Sequence, residues 1–223
     1  MKKKLFAPDF SRDTIHRIEE ALQVLSSQGD QLQDHQNQKI TRFQVGSLDL
    51  VAKEYEITST SRKIAAHLGY SRARRSFRAG LRLLQAGIKT PQPVLLIEEG
   101  SPFFSKSILV TEFAPGVTLD KILASGETPP ASLAADLDGI LRKLLEIHFR
   151  HGDFHGLNLI VSPTGTASLI DLDSARRRFF KRRITTNIQA DRDRLIGSSA
   201  ADPEFQKSLM EILGEPGTPF PRL

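Results

Sequence analysis

The 223-residue chain contains no cysteine. That absence rules out a disulfide framework and any thiolate-held metal, and it fits a reducing compartment, so the cytoplasm is the expected location. Long apolar runs are missing too: none approaches the roughly 18 residues of a membrane span. The basic start MKKKLFAPDF is interrupted by Pro8 and Asp9 and no signal-peptide core follows. Acidic residues vanish between positions 57 and 97, where Arg62, Lys63, Arg72, Arg74, Arg75, Arg78, Arg82 and Lys89 carry the charge. There is no internal repeat and no low-complexity tract.

What is present bounds the answer further. A hydrophobic content of 39% in a chain of this length supports one sizeable core, or two small lobes sharing a cleft, and so one compact unit. The net charge is +5 and clustered, with a second basic group at Arg176, Arg177, Arg178, Lys181, Arg182 and Arg183. Such clusters suit polyanionic partners: a phosphorylated glycolipid, an anionic membrane surface or nucleic acid. The plainer reading of each is a solvated helix face.

Apolar periodicity predicts a helix over residues 13–25 through Ile15, Ile18, Leu22 and Leu25, then a polar, loop-like stretch over 28–39. ITRFQVGSLDLVAKEY reads as a hairpin turning at Gly46 and Ser47. A helix over 73–86 places Ala73, Phe77, Leu81 and Leu84 on one face and is closed by Gly87. VLLIEEG and SILVTEF follow as strands. A long helix over 132–148 is marked by Leu133, Leu137, Ile140, Leu141, Leu144 and Leu145, and should be central to a second, mostly helical lobe. LNLIV and ASLIDL are short strands joined by the turn at 162–165, and a last helix starts at Asp202-Pro203. The tail GEPGTPFPRL reads as irregular.

The chemistry concentrates in HGDFHGLNLIV and LIDLD. Asp153 falls on the loop after the long helix, Asn158 follows five residues later, and Asp171 comes thirteen residues after that, at the end of the partner strand. The hairpin brings amide and carboxylates to one point. Phosphoryl transfer from ATP needs a carboxylate to orient the acceptor hydroxyl, oxygen ligands for Mg²⁺, and a lysine for the phosphates. The D-x-x-x-x-N spacing with a following strand-end aspartate is the one used by the kinase catalytic loop and metal-binding motif. With the upstream VAK lysine and the element order, it predicts an α+β, protein-kinase-like fold of two lobes. The N-lobe would be a small antiparallel sheet over about 28–113, the hinge about 113–118 and the mostly helical C-lobe about 119–223, within a single domain of residues 1–223.

The pattern HGDxHxxN followed by D-L-D resembles the lipopolysaccharide-core kinases, the Kdo and heptose kinase family. LVAKEY, the stretch SRARRSFRAGLRLLQAGIKTPQPVLLIE and LVTEFAPGVTLDKIL look like its N-lobe and hinge, so the resemblance covers about 38–185. More loosely it is shared with aminoglycoside phosphotransferases and the small atypical kinases of tRNA modification. It implies that Lys53 contacts the α- and β-phosphates, that Asp153 is the catalytic base, and that Asn158 and Asp171 hold the metal. Glu112 would set its neighbouring backbone against adenine. Asp173 is either a second metal carboxylate or a structural one. His151 and His155 are read as loop-shaping residues that bond to backbone, with metal ligation as the alternative.

Two features depart from the kinase pattern. The helix over 73–86 has no acid to pair with Lys53, leaving Glu54, Glu56, Glu98 or Asp171 as substitutes. The glycine-rich phosphate loop is absent as well, Gly46 being the only glycine between Asp30 and Leu68. The resemblance implies an ATP- and Mg²⁺-dependent sugar kinase acting on the lipopolysaccharide inner core at the cytoplasmic face of the membrane. The competing readings are a small-molecule or protein kinase of the same fold, and a pseudokinase that binds nucleotide or a partner without turnover.

Overall fold

The computed structural model describes residues 2–28, 30–35, 38–130, 132–178 and 181–220. It divides into two units, Met1–Leu81 with Pro91–Phe113, and Arg82–Thr90 with Ala114–Leu223.

The first unit is built on a sheet whose strands alternate between two buried faces. β1 (Lys2–Phe6), β2 (Asp30–His35), β3 (Gln38–Val45), β4 (Leu48–Glu56), β5 (Pro93–Glu99) and β6 (Lys106–Glu112) lie in the order β1-β5-β6-β4-β3-β2, antiparallel throughout. Because neighbouring side chains on a strand point to opposite faces, Leu50 and Ala52 of β4 meet Ile15, Ile18 and Leu25 of helix α1 (Arg12–Gln28) on one side. Tyr55 of β4 meets Ala73 and Phe77 of helix α3 (Arg72–Gln85) on the other. The helix α2 (Thr60–His67) precedes α3.

In the second unit, α5 (Leu133–Glu146) buries Leu133, Leu137, Ile140, Leu141 and Leu144. Each fully buried leucine or isoleucine is worth about 1.5–3 kcal/mol. This stripe packs on α6 (Lys181–Ser198) and α7 (Pro203–Leu213), which also pack on each other. α7 starts where Asp202 caps the N–H groups of Glu204 and Phe205. α4 (Leu119–Ser125) follows β7 (Val117–Thr118), which joins β9 (Leu159–Val161) and β10 (Ala167–Leu169) in a three-stranded sheet. β8 (Phe149–Arg150) pairs with β11 (Arg176–Arg177). The buried guanidinium of Arg192 donates to the carbonyls of Leu213 and Thr218 and ties down much of the expected irregular tail.

One expectation changes, and several elements were not anticipated. Residues 30–35 are an edge strand: DQLQDH is polar because an edge strand need bury little, and its ladder to β3 is a backbone property. β1 and α2 are further elements not anticipated. α6 was hidden in what reads as a basic cluster, because its apolar residues Ile184, Ile188, Leu195 and Ile196 are sparse among charges. Of that cluster Arg176 and Arg177 are exposed on β11, whereas the side chains of Lys181, Arg182 and Arg183 lie outside the described residues.

Candidate active site

The segment from His151 to Asn158 alternates between anchors and presented groups. Phe154 is fully buried, and its ring meets that of His151 edge-on at 5.8 Å. His151 is itself buried; its Nδ1 accepts the N–H of Asp153 at 3.3 Å and its Nε2 lies 3.1 Å from the carbonyl of Ile170. One nitrogen accepts and the other must donate, so this is the neutral imidazole with its proton on Nε2. Burial, which penalises the charged ring, lowers its pKa accordingly.

Asn158 sits in the single turn of 3₁₀ helix Gly156–Asn158 that leads into β9. Its amide nitrogen donates to the carbonyl of Asp153 at 2.9 Å and to its Oδ2 at 3.1 Å. The amide oxygen therefore faces away from Asp153. His155 caps the same turn, accepting the N–H of Leu157 at Nδ1, and its Nε2 lies 3.4 Å from Oδ2 of Asp153. Among the described residues both side-chain contacts of Asp153 thus fall on Oδ2, leaving Oδ1 of this partly exposed carboxylate for another partner. The expectation that the two histidines shape the loop through backbone bonds matches these contacts.

Asp171 is two residues beyond the end of β10, in the left-handed region at φ 53° and ψ 63°. A non-glycine residue held there marks a locally imposed backbone. The preceding residue, Ile170, is held on both sides: its N–H donates to the carbonyl of Asn158 at 3.0 Å while its own carbonyl accepts from His151. Asp171 is thereby tethered beside the Asp153–Asn158 pair through one residue of backbone.

One residue with no motif of its own completes the loop. Asp191 of α6 is buried, and its carboxylate accepts the N–H of His151 at 3.1 Å and that of Gly152 through both oxygens at 3.1 Å. Burial raises its pKa, against the bonds from Gly152. Gly152 has φ 88°, a backbone conformation that favours glycine, and a β-carbon there would also approach the carbonyl of Ser174 to 3.1 Å. QADRDRL offers no pattern that singles out Asp191; only the packing of α6 does.

The other two expected residues belong to the first unit. Lys53 is on β4, opposite Leu109, with its ammonium 5.3 Å from the Tyr55 ring and hence on the face covered by α3. Of its proposed substitute partners, Glu98 is buried in contact with Arg74 and Ser71, both at the start of α3, and Glu54 pairs with Lys106. α3 is thus tied to β5 by an arginine–glutamate pair of its own. Glu112 ends β6 opposite Leu50; its N–H goes to the carbonyl of Gln92 and that of Phe113 to Asp49, both at 2.9 Å. The Phe113 ring carries the Arg42 guanidinium 3.7 Å from its centre, and Arg42 makes a two-bond pair with Asp49, which holds that carboxyl below its ordinary pKa.

A family model, the lipopolysaccharide kinase (Kdo/WaaP) family, matches residues 22–208. The chain belongs to that family. Its members are kinases that phosphorylate lipopolysaccharide sugars, so the chain is a lipopolysaccharide core kinase with ATP as donor, and neither competing reading is favoured. Among solved structures, WaaP in complex with acyl carrier protein is similar at 22% identity and a TM-score of 0.62, covering 94% of this chain and 89% of that one. WbdD is similar at 21% identity and a TM-score of 0.52, over 73% of this chain and 36% of that one. These likenesses show the kinase-like fold. A search of curated proteins gave no match. No helix among the described residues is long and apolar enough to cross a membrane.

Proposed function

We propose that the chain transfers the γ-phosphate of ATP, with Mg²⁺, to a sugar hydroxyl of the lipopolysaccharide inner core at the inner face of the cytoplasmic membrane, with Asp153 as the base. The observation that carries the reading is the orientation of Asp153: two neighbours hold Oδ2 and leave Oδ1 for an acceptor hydroxyl. As the acceptor oxygen bonds to phosphorus and the bond to the bridging oxygen breaks, the hydroxyl proton passes to Oδ1 and ADP leaves.

Asn158 and Asp171 suit Mg²⁺ because both offer hard oxygen donors, and the amide oxygen of Asn158 is fixed by what its nitrogen does. When bound, the ion neutralises charge on the phosphates. Among the described residues no three histidines, aspartates or glutamates gather as a metal cluster, so the mixed amide and carboxylate set is the candidate. Lys53 would contact the α- and β-phosphates, and the backbone beside Glu112 would meet adenine.

We read residues 1–223 as one kinase-like domain, its N-lobe ending near Phe113, where the first unit also ends. The basic clusters would hold a phosphorylated glycolipid or another polyanionic acceptor. The deciding experiment incubates the chain with ATP labelled in its γ-phosphate and, separately, purified core glycolipid, an aminoglycoside and whole-cell protein. Label in the glycolipid, abolished by Asp153→Ala, supports the reading; label only in protein sinks it.

A further inference from the structure

α2 is amphipathic in an unusual sense: its inner face is small and aromatic-bound, while its large aliphatic residue points to solvent. Ala66 is buried, and the His67 ring meets that of Phe103 edge-on and that of Phe104 at a tilt, with ring centres 5.6 and 5.3 Å away. At about 100° per residue, Ile64 and Leu68 each lie about 160° around from Ala66, on the side turned away from it, and they are 41% and 68% exposed.

The end of α2 holds this arrangement in place. The N–H of Gly69 bonds to the carbonyl of Ala66 at 2.9 Å and that of Tyr70 to Ala65 at 2.8 Å, with Gly69 at φ 90°. These are the two bonds of a Schellman end, in which an apolar residue at the Tyr70 position usually folds back on the helix. Here Tyr70 is 72% exposed. A fixed backbone therefore presents Ile64, Leu68 and Tyr70 together, on a surface where clustered apolar groups carry a cost unless something covers them.

The stretch of sequence that carries them has one sign of charge. Arg62 and Arg72, immediately outside the three apolar residues in sequence, are exposed, and Arg78 is exposed on α3. No acidic residue occurs from 57 to 97, and the next one, Glu98, is buried with Arg74. Protruding aliphatic and tyrosine side chains flanked in sequence by exposed arginines match the water–lipid boundary of an anionic bilayer, where tyrosine sits at headgroup depth and arginine meets phosphate.

We propose that the end of α2, through Ile64, Leu68 and Tyr70 flanked by Arg62 and Arg72, docks the chain on an anionic phospholipid surface. This deepens the reading that the acceptor is a membrane-embedded glycolipid and rests on it. Docking would deliver the chain to the surface in which such an acceptor is anchored.

The test is co-sedimentation of the full chain with vesicles of phosphatidylcholine alone, and with vesicles of equal parts phosphatidylethanolamine and phosphatidylglycerol. Binding is expected only to the anionic vesicles. Leu68→Asp with Tyr70→Ser should weaken it by at least about tenfold, and Arg62→Gln with Arg72→Gln by about tenfold or more and steeply with salt. The rise in melting temperature with ATP should persist in both variants, which shows that they are folded. Failure of the chain to bind anionic vesicles, or equal binding by folded variants, overturns the proposal. So does tight binding to poly-glutamate that the same variants lose while vesicles remain unbound. A chain that docks but labels no glycolipid overturns the acceptor assignment and leaves the docking surface standing.

Discussion

Asp191 holds Gly152 by both carboxylate oxygens, each 3.1 Å from the same backbone N–H. The loop that carries Asp153 is thus suspended from the middle of α6, and its position depends on a buried carboxylate 38 residues away from Asp153 in sequence. Asp191→Ala should cost about 1.5–3 kcal/mol of stability from the lost bonds to a charged acceptor. It should also lower kcat at least tenfold, since misplacing a reacting group by about 1 Å can cost a hundredfold. The KM for ATP should move much less. Parallel denaturation and steady-state kinetics check this, and an unchanged kcat would refute the suspension.

Removing the carboxylate proposed as the base should separate binding from chemistry. Asp153→Asn should reduce phosphate transfer by roughly 10²–10⁴-fold while leaving the rise in melting temperature with ATP and Mg²⁺ intact. Asp171→Ala should abolish that rise. Thermal shift with and without Mg²⁺, alongside transfer assays, distinguishes the two; identical behaviour of both variants would contradict their separate roles.

His151 makes stability depend on pH with a defined sign. Burial lowers its folded pKa below the ordinary value of 6.5. The unfolded chain therefore takes up a proton that the folded chain refuses, and stability is full above about pH 6.5 and falls as pH drops toward the folded value. The raised pKa of Asp191 acts oppositely, easing its burial penalty as pH falls through that raised value. Melting temperatures between about pH 7.5 and about pH 5.5 should decline for the wild type and decline less for His151→Gln. Parallel curves would show that another group governs this range.

The Arg74–Glu98 pair is buried on both sides. Glu98→Ala strands a guanidinium and should cost about 3–5 kcal/mol, whereas Arg74→Met combined with Glu98→Leu should recover most of it. Chemical denaturation measures both, and equal losses in the single and double variants would argue against the pair. Because this pair fastens α3 to β5, Lys53 on the same sheet face is served by a helix with no acid of its own.

Much of the architecture was legible because it follows from periodicity. The leucines of α5, the hairpin at Gly46 and the capped start of α7 lie within a residue or two of where spacing alone predicts them. α2 and α6 were not legible: the first is too short and polar to show a stripe, and the apolar positions of the second are too few. Their burial comes from neighbours distant in sequence.

The same division runs through the site. That Asp153, Asn158 and Asp171 are candidates for one site was legible in the sequence itself, since a five-residue spacing and a short hairpin are local features that bring chain neighbours to one end of a sheet. The neutral state of His151, the orientation of Asp153 by Asn158, the suspension of the loop from Asp191 and the pairing of Glu98 with Arg74 were decided by tertiary structure alone. Each depends on a buried hydrogen-bonding group finding its partner across the fold, and no local pattern encodes which distant donor or acceptor that will be.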